Sequence, residues 1–364
     1  MNSTFKIVFN RARGAMTVVN EMTKSHQTGR KAAVAVAVAG ALAFSAGVHA
    51  ADPVYVEGAG KDITVTKAHI TPNVGNRVVG GWNKWSDTAQ QAALNNTVTV
   101  EGGEWQLVIG GHYTSKENEV DHSAVQNTHV VINITKSVVG GTAGTDNQKL
   151  VRNNKSAVAN VTINGGSFGA EGEVGNATEL FVLGGDLMKH GGSYSGIIDA
   201  YAESEIGATH VTIKDGTFNR AIVGGSAAIV YYGNANKGAK TTVGTTNVTI
   251  EGGTFNHAIV AGVLASGPKT HSFVTEANLS VIAKDKALVV KDSIFAGGVR
   301  RMDSLGGSGG SVKVDHATVR VEGVEVQGGI YGTHAALTGT QSTTDSNKIS
   351  KWNYNPLEID GAVA

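Results

Sequence analysis

The 364-residue sequence contains no cysteine, and this absence excludes several kinds of chemistry. Without thiols the chain has no disulfide framework, no thiolate metal site and no cysteine nucleophile. Charged residues are also scarce, at 16% of the chain against about 25% in an average globular protein. The 30 basic and 30 acidic residues balance one another without forming a basic cluster, so we expect no nucleic-acid partner.

The sequence also lacks an apolar run long enough to cross a membrane as a helix. Its longest, residues 32–44 (AAVAVAVAGALAF), has about 13 residues, whereas a bilayer core of roughly 30 Å requires about 20. Six basic residues and one acidic residue precede it in residues 1–31, and small residues follow it at Val48 and Ala50. This order predicts a secretory signal cleaved after Ala50. The alternative interpretation is a buried N-terminal helix.

Two short motifs precede the apolar run, at residues 6–10 (KIVFN) and 17–21 (TVVNE). With them the first 30 or so residues resemble the extended signal peptide region of Gram-negative type V secretion proteins, the autotransporters and large adhesins. The family usually carries a tryptophan in the first motif, where this sequence has Phe9. The resemblance implies export through the Sec translocon, and an outer-membrane or extracellular destination. A cysteine-free chain suits passage through an oxidising periplasm.

The remainder of the chain repeats one phrase. The two most similar copies are residues 210–225 (HVTIKDGTFNRAIVGG) and 247–262 (NVTIEGGTFNHAIVAG), and residues 160–168 (NVTINGGSF) begin in the same way. Looser copies begin near residues 97, 130 and 318, and we expect a degenerate copy within residues 279–298. Such periods are typical of stacked repeat architectures.

Each copy has an obvious physical interpretation. The Val-Thr-Ile triplet alternates apolar and polar residues as a half-buried strand does, and glycines follow where the chain must turn. A single copy cannot bury its apolar face, but stacked copies can, which would bring Phe168, Phe218 and Phe255 into a ladder. The sequence therefore predicts an all-β, right-handed parallel β-helix of about seven rungs. The competing fold is a β-propeller, whose Trp-Asp signatures are missing.

The domain organisation follows from the extent of the repeats. We expect an extended Sec signal peptide at residues 1–50, an N-terminal cap and first rungs at 51–96, repeats at 97–336 and a polar tail at 337–364. Within that tail, residues 352–359 (WNYNPLEI) could form one more strand. No run of barrel strands of about 10 residues follows, as it would in a classical autotransporter. We therefore expect a truncated passenger, or one that needs a separate outer-membrane translocator.

Two sequence matches to nucleophile and phosphate motifs carry little weight. Residues 306–310 (GGSGG) match a nucleophile elbow, but they lie in a glycine-rich run without the helix that this motif needs. The Gly-Asp-Ser-Gly signature of serine-protease passengers is absent. Residues 233–240 (GNANKGAK) narrowly miss a phosphate-binding loop, and a solvated loop explains them better.

The histidines do not form a clear metal site. His112 and His122 flank a polar loop with Glu119 and Asp121, which is the best candidate for metal ligands, although a solvated loop is the simpler interpretation. His210 precedes a predicted strand and is interpreted as a turn residue. We expect no metal and no cofactor.

A glycan-cleaving β-helix would need two carboxyl groups at a fixed separation. At the turn of three copies we find Asn164, Asp215 and Glu251, which are predicted to stack in neighbouring rungs. Solvated turn residues are the more common explanation of such a row. No residue is therefore assigned a catalytic role.

The sequence favours an exported β-helical passenger that acts at the cell surface as an adhesive rod. Variable loops would bind a surface glycan or protein by many weak contacts, and the candidate loops are residues 112–128, 186–207, 231–246 and 301–311. The alternatives are a glycan-cleaving enzyme on the same scaffold, which two carboxylates within about 10 Å in a cleft would favour, and an inactive truncated passenger.

Overall fold

A computed structural model gives the architecture of the chain. The regular secondary structure of the described residues consists of β-strands, with no helix among them. The all-β prediction is therefore confirmed. The residues that the structure describes are 5–10, 15–20, 55–66, 77–81, 94–102, 105, 107–111, 125–139, 143–146, 152–169, 182–190, 202–230, 238–267, 269–302, 311–332 and 335–338.

The chain divides into two compact units, Met1–Val34 and Ala35–Ala364. The first unit holds an antiparallel hairpin of β1 (Phe5–Asn10) and β2 (Ala15–Asn20), in which Phe5 lies opposite Asn20. The remaining strands belong to the second unit.

The strands of the second unit form four columns of parallel neighbours, which we call the long column and the first, second and third short columns. The long column contains β4 (Ile63–Val65), β6 (Leu94–Val100), β8 (Val125–Val139), β10 (Arg152–Phe168), β12 (Ala202–Ile213), β16 (Ala239–Ile250), β20 (Thr270–Ile282) and β24 (Ser311–Glu322). The first short column contains β13 (Thr217–Phe218), β17 (Gly253–Phe255), β21 (Leu288–Val290) and β25 (Glu325–Val326).

The second short column contains β3 (Tyr55–Glu57), β5 (Arg77–Val79), β7 (Leu107–Ile109), β9 (Ala143–Asp146), β11 (Val182–His190), β14 (Ile222–Val223), β18 (Ile259–Val260), β22 (Ile294–Phe295) and β26 (Ile330–Tyr331). The third short column contains β15 (Ala227–Val230), β19 (Leu264–Ser266), β23 (Val299–Met302) and β27 (Ala335–Thr338). β11 is long enough to pair with both β14 and β15. β10 likewise extends into the first short column, where it pairs with β13.

From β12 onward the chain visits the four columns in order and then returns to the long column one level further along. The long column and the first short column form a 12-stranded sheet, and the second and third short columns form a 13-stranded sheet. Every described pairing within these two sheets is parallel. This is a parallel β-helix, as the sequence predicts. The long column has eight strands, one more than the predicted seven rungs, because the short strand β4 lies in a segment that matches the phrase poorly.

The copies of the phrase stack in register. Val161 pairs with Val211, and Val211 pairs with Val248, so equivalent residues occupy equivalent positions. The rings of Phe168, Phe218 and Phe255 are fully buried and stack with centroids 4.7 Å apart and nearly parallel planes. The predicted phenylalanine ladder is therefore confirmed.

The glycines between the second and third short columns allow two backbones to approach closely. A Cβ atom on Gly224 would lie 2.1 Å from the carbonyl oxygen of Ala261 and 2.3 Å from Val248 Cγ2, so a side chain has no room there. The same corner is fixed from the inside, because Thr209 Oγ1 donates a 2.7 Å hydrogen bond to the Gly224 carbonyl.

Replacement of the central ring of the ladder tests this packing. Phe218→Ala removes a fully buried ring that stacks on both sides, so we expect a loss of about 3–5 kcal/mol in the free energy of unfolding. The matched control is Thr217→Ala, an exposed neighbour in the same strand, with an expected change within about 0.5 kcal/mol. Denaturant unfolding measures both, and equal effects would contradict the ladder.

Candidate functional site

The outward-facing side of the long column carries one continuous row of polar side chains. Side chains alternate between the two faces of a strand, so one register position recurs on the outer face at every level. The backbone pairings place these residues side by side, and they are half-buried or exposed. We call this row the outer ladder; it consists of Thr97, His129, Asn160, His210, Asn247, Asn278 and Thr318.

Hydrogen bonds join neighbours along the outer ladder. The Asn160 amide nitrogen lies 3.5 Å from His129 Nε2, and the Asn247 amide nitrogen lies 3.4 Å from His210 Nδ1. Asn278 Nδ2 donates a 3.3 Å hydrogen bond to Asn247 Oδ1. These hydrogen bonds form two groups along the outer ladder, one of His129 and Asn160 and one of His210, Asn247 and Asn278.

The position of His210 corrects the sequence interpretation. We predicted a turn residue, but His210 lies inside β12, which begins at Ala202. The reason is that the long strands extend upstream of the Val-Thr-Ile triplet and pair there with the next level, as Ala202 does with Ala239.

A second outward row lies two residues further along each long strand. It is mostly hydroxyl-bearing, and its members pair with one another in the same register. Arginine replaces the hydroxyl at the last level and valine at the second. The second row runs beside the outer ladder on the same face; it consists of Thr99, Val131, Thr162, Thr212, Thr249, Ser280 and Arg320.

The predicted row of Asn164, Asp215 and Glu251 is wrong. Ile163, Ile213 and Ile250 pair with one another, so the residues that follow them are Asn164, Lys214 and Glu251, and Asp215 lies one place later. Asn164 instead donates a 2.6 Å hydrogen bond from its side chain to Asn133 Oδ1.

Each of the two carboxylates forms an ion pair with a lysine. Lys286 donates to Asp215, and Lys284 donates to Glu251. The hydrogen bond from Lys286 lowers the pKa of Asp215, and the Gly216 amide and the lysine charge act in the same direction, while burial opposes them. A general acid in glycoside cleavage needs a raised pKa, so Asp215 is unsuited to that role.

The other predicted site residues lie largely outside the described residues. His112, Glu119, Asp121 and His122 fall there, as does the glycine-rich run 306–310. Within the described part of the chain, no group of three or more metal-ligating side chains occurs. No described segment is a helix with the length and hydropathy that a membrane crossing requires.

The segment at residues 233–240, which resembles a phosphate-binding loop, ends in a strand. Residues 233–237 lie outside the described residues, but Lys240 belongs to β16. Its Nζ lies 2.6 Å from Glu203 Oε1 in the neighbouring long strand. Lys240 therefore takes part in a cross-strand ion pair.

The candidate loops are joined to the β-helix at one corner. Residues 191–201, 231–237 and 303–310 each connect the third short column to the next long strand. Their anchoring ends are stacked, since His190 pairs with Val230 on one side and Ala202 pairs with Ala239 on the other. Apart from Gly238, the remaining described parts of the four candidate loops belong to strands, and residues 112–124 lie outside the described residues.

Sequence reasoning missed a buried column of ionisable side chains at another corner of the β-helix. Arg220, His257 and Asp292 each follow two places after the aligned residues of the first short column, and each is less than a tenth exposed. His257 Nδ1 accepts a 2.8 Å hydrogen bond from the Ala258 amide and lies 3.8 Å from Asp292 Oδ2. The available signal was the one variable residue in the nearly constant phrase Thr-Phe-Asn-x-Ala-Ile-Val. Its burial suits a structural role.

The ion pair between Lys286 and Asp215 predicts a measurable change in the pKa of Asp215 when the lysine is replaced. Lys286→Gln removes the hydrogen bond and the positive charge, so the pKa of Asp215 should rise toward its ordinary value of 3.8. Because folding lowers this pKa, Asp215 stabilises the fold above pH 3.8, and that contribution is lost as the pH falls through the folded value. Carboxyl NMR titration measures the shift. The control is Lys284→Gln, which should leave the pKa of Asp215 unchanged, because Lys284 pairs with Glu251. An equal rise of this pKa in both variants would contradict the role given to Lys286.

Comparison with known proteins identifies the first part of the chain. No curated protein and no solved structure matches the sequence. Residues 1–50 match the family described as the extended signal peptide of the type V secretion system, in agreement with the motifs noted in the sequence. The chain therefore begins with a segment similar to the signal that directs type V secretion, followed by a parallel β-helix.

Proposed function

We propose that the exported chain acts at the cell surface as an adhesive rod that binds a surface glycan or protein. The signal match at residues 1–50 indicates export by way of Sec and the type V pathway. The β-helix that follows is a stack in which every level presents the same outward position. These two properties together suit a surface-displayed binding scaffold.

The observation that carries the proposal is the outer ladder. Its asparagine and histidine side chains hydrogen-bond to neighbours in two groups, at residues 129 and 160 and at residues 210, 247 and 278, which restricts their rotamers before any ligand arrives. An asparagine amide has two donors and an acceptor with two lone pairs. Asn247 uses one donor and one lone pair along the ladder, which leaves one donor and one lone pair for a ligand at a half-buried side chain. A preorganised row of such groups favours polar ligands that are themselves extended.

The loops at the common corner support multivalent binding. Their anchoring strands follow one another at about 4.8 Å per level, so several loops can meet one large ligand at the same time. Linked weak contacts raise the overall affinity without any deep pocket. The short connection between β19 and β20, in which Thr270 Oγ1 donates to the Gly267 carbonyl, separates the loop before it from the loop after it.

The rival function, glycan cleavage, has less support. It would require two carboxyl groups that flank the same glycosidic bond of the substrate. One of them, the general acid, would need a raised pKa. Asp215 and Glu251 are instead bound to separate lysines, and the pKa of Asp215 is lowered.

A binding assay on the purified exported chain tests the proposal. If cleavage follows Ala50, that chain begins at Ala51, and it is applied to arrays of surface glycans and matrix proteins. The combined variant His210→Ala, Asn247→Ala and Asn278→Ala should lose roughly 100-fold or more in apparent affinity, because the lost contacts act together. The matched control, Thr217→Ala with Thr254→Ala, changes outward residues of the first short column and should bind normally.

The same samples distinguish the alternatives. Release of saccharide from a glycan substrate would overturn the adhesive role in favour of an enzyme. Equal loss of binding in both variants would show that the outer ladder is not the binding face. An exported, folded chain that binds nothing would favour the inactive passenger.

A further inference from the structure

Glu276 is an exposed residue of β20 that lies beside the outer ladder and hydrogen-bonds to it. Asn278 Nδ2 donates a 2.9 Å hydrogen bond to Glu276 Oε1, in addition to the 3.3 Å hydrogen bond that it donates to Asn247 Oδ1. An ionised carboxylate only accepts hydrogen bonds, so it must face an N–H group. Glu276 therefore determines which end of the Asn278 amide is turned toward it.

The orientation of Asn278 sets the orientation of the side chains one and two levels away. Because Asn278 donates to Asn247 Oδ1, the Asn247 amide turns its Nδ2 toward His210, where it lies 3.4 Å from Nδ1. An amide nitrogen donates, so His210 Nδ1 must accept, and the proton of the neutral ring is then on Nε2. The hydrogen bonds thus run in one direction, from Asn278 through Asn247 to His210.

This direction leaves a different hydrogen-bonding capacity at each of the three levels. Within the described part of the chain, no hydrogen bond joins His210 Nε2 or Asn278 Oδ1 to another residue. His210 therefore keeps a donor, Asn247 keeps one donor and one lone pair, and Asn278 keeps an acceptor. The three side chains are half-buried, and neighbouring levels are about 4.8 Å apart. A ligand along the stack meets a donor, a mixed site and an acceptor in turn.

We infer that Glu276 is a positioning residue of the binding face and that the group it orders, His210, Asn247 and Asn278, binds an uncharged glycan. This inference rests on the adhesive function proposed above. A glycan hydroxyl has one donor and an oxygen with two lone pairs, so a row of hydroxyls can match a donor, a mixed site and an acceptor. The order that Glu276 imposes thus suits a hydroxyl-rich ligand that extends over three levels.

An acidic glycan fits this face less well than an uncharged one. In the described strands β12, β16 and β20, the outward residues of 208–212, 245–249 and 276–280 include one charged side chain, the carboxylate of Glu276. Like charges placed side by side suppress binding, so this carboxylate disfavours sulfated or carboxylated sugars. Arg320, at the next level, lies 2.8 Å from Glu322 and is already paired.

A peptide that binds by adding a strand also fits this face less well. That mode requires a strand edge with unpaired amide and carbonyl groups. Each of β12, β16 and β20 is paired with a long strand on both sides. The face therefore offers side-chain groups to a ligand, and no backbone edge.

An array that carries uncharged glycans, acidic glycans and matrix proteins tests the ligand class with the purified exported chain. We expect binding to uncharged glycans. Glu276→Gln replaces the carboxylate with an amide that can also donate, so the direction of the hydrogen bonds is no longer fixed and the apparent affinity should fall about 10-fold. The matched control, Thr275→Ala, changes the exposed neighbour of Glu276 and should bind normally.

The ring nitrogens of His210 report the direction of the hydrogen bonds without any ligand. Nitrogen NMR of the neutral ring should show the Nε2–H tautomer in the wild-type chain and in Thr275→Ala, and a mixture of both tautomers in Glu276→Gln. A merely structural role of Glu276 would change the stability of the fold and would not change the tautomer of a ring two levels away.

The outcomes separate this inference from the adhesive function itself. The same His210 tautomer in the wild-type chain and in Glu276→Gln, or an equal loss of binding in Glu276→Gln and Thr275→Ala, would overturn the positioning role. Binding restricted to acidic glycans or to proteins would overturn the ligand class and leave the adhesive function intact. Absence of binding to every member of the array would overturn both the ligand class and the adhesive function.

Discussion

The whole architecture depends on the in-register pairing of parallel strands. Because each backbone pairs with the next level at about 4.8 Å, a residue that suits one level must also suit the residues directly above and below it. The phenylalanine ladder satisfies this condition inside the β-helix, and the outer ladder of asparagine and histidine satisfies it on the outer face. The close backbone approach at Gly224 is a third consequence, since neighbouring levels meet there without room for a side chain.

The same constraint shapes the chemistry that the surface can offer. Stacked equivalent positions produce flat rows of similar groups, whereas catalysis needs a few dissimilar groups in one enclosed place. The carboxylates considered for glycan cleavage, Asp215 and Glu251, are paired with lysines from later levels of the stack. The buried column of Arg220, His257 and Asp292 contains dissimilar groups, but it lies inside a corner of the β-helix. This contrast is the physical basis of our proposal that the chain binds a ligand along its rows.

Much of the fold could be predicted because the phrase is local. Val-Thr-Ile, the glycine turn and Thr-Phe each specify their own conformation, and the copies specify their own stacking. The failures have separate causes. The acidic residue follows isoleucine directly in Ile-Glu-Gly-Gly but one place later in Ile-Lys-Asp-Gly, so matching the two acidic residues placed Asp215 one position wrong. The lysine that binds it is 71 residues away. His210 was placed in a turn because the phrase begins there, whereas β12 begins at Ala202, upstream of the phrase.

The register itself is the most direct point at which to test this account. Thr212 and Thr249 are outward and paired, so Thr212→Cys with Thr249→Cys should form a disulfide in the purified chain, which has no other thiol. Ser280 lies one level further, at about 9.6 Å from Thr212, beyond disulfide reach. The in-register parallel β-helix predicts oxidation of the first pair and a persistently reduced Thr212→Cys with Ser280→Cys. Equal oxidation of both pairs, or of the second pair alone, would contradict it.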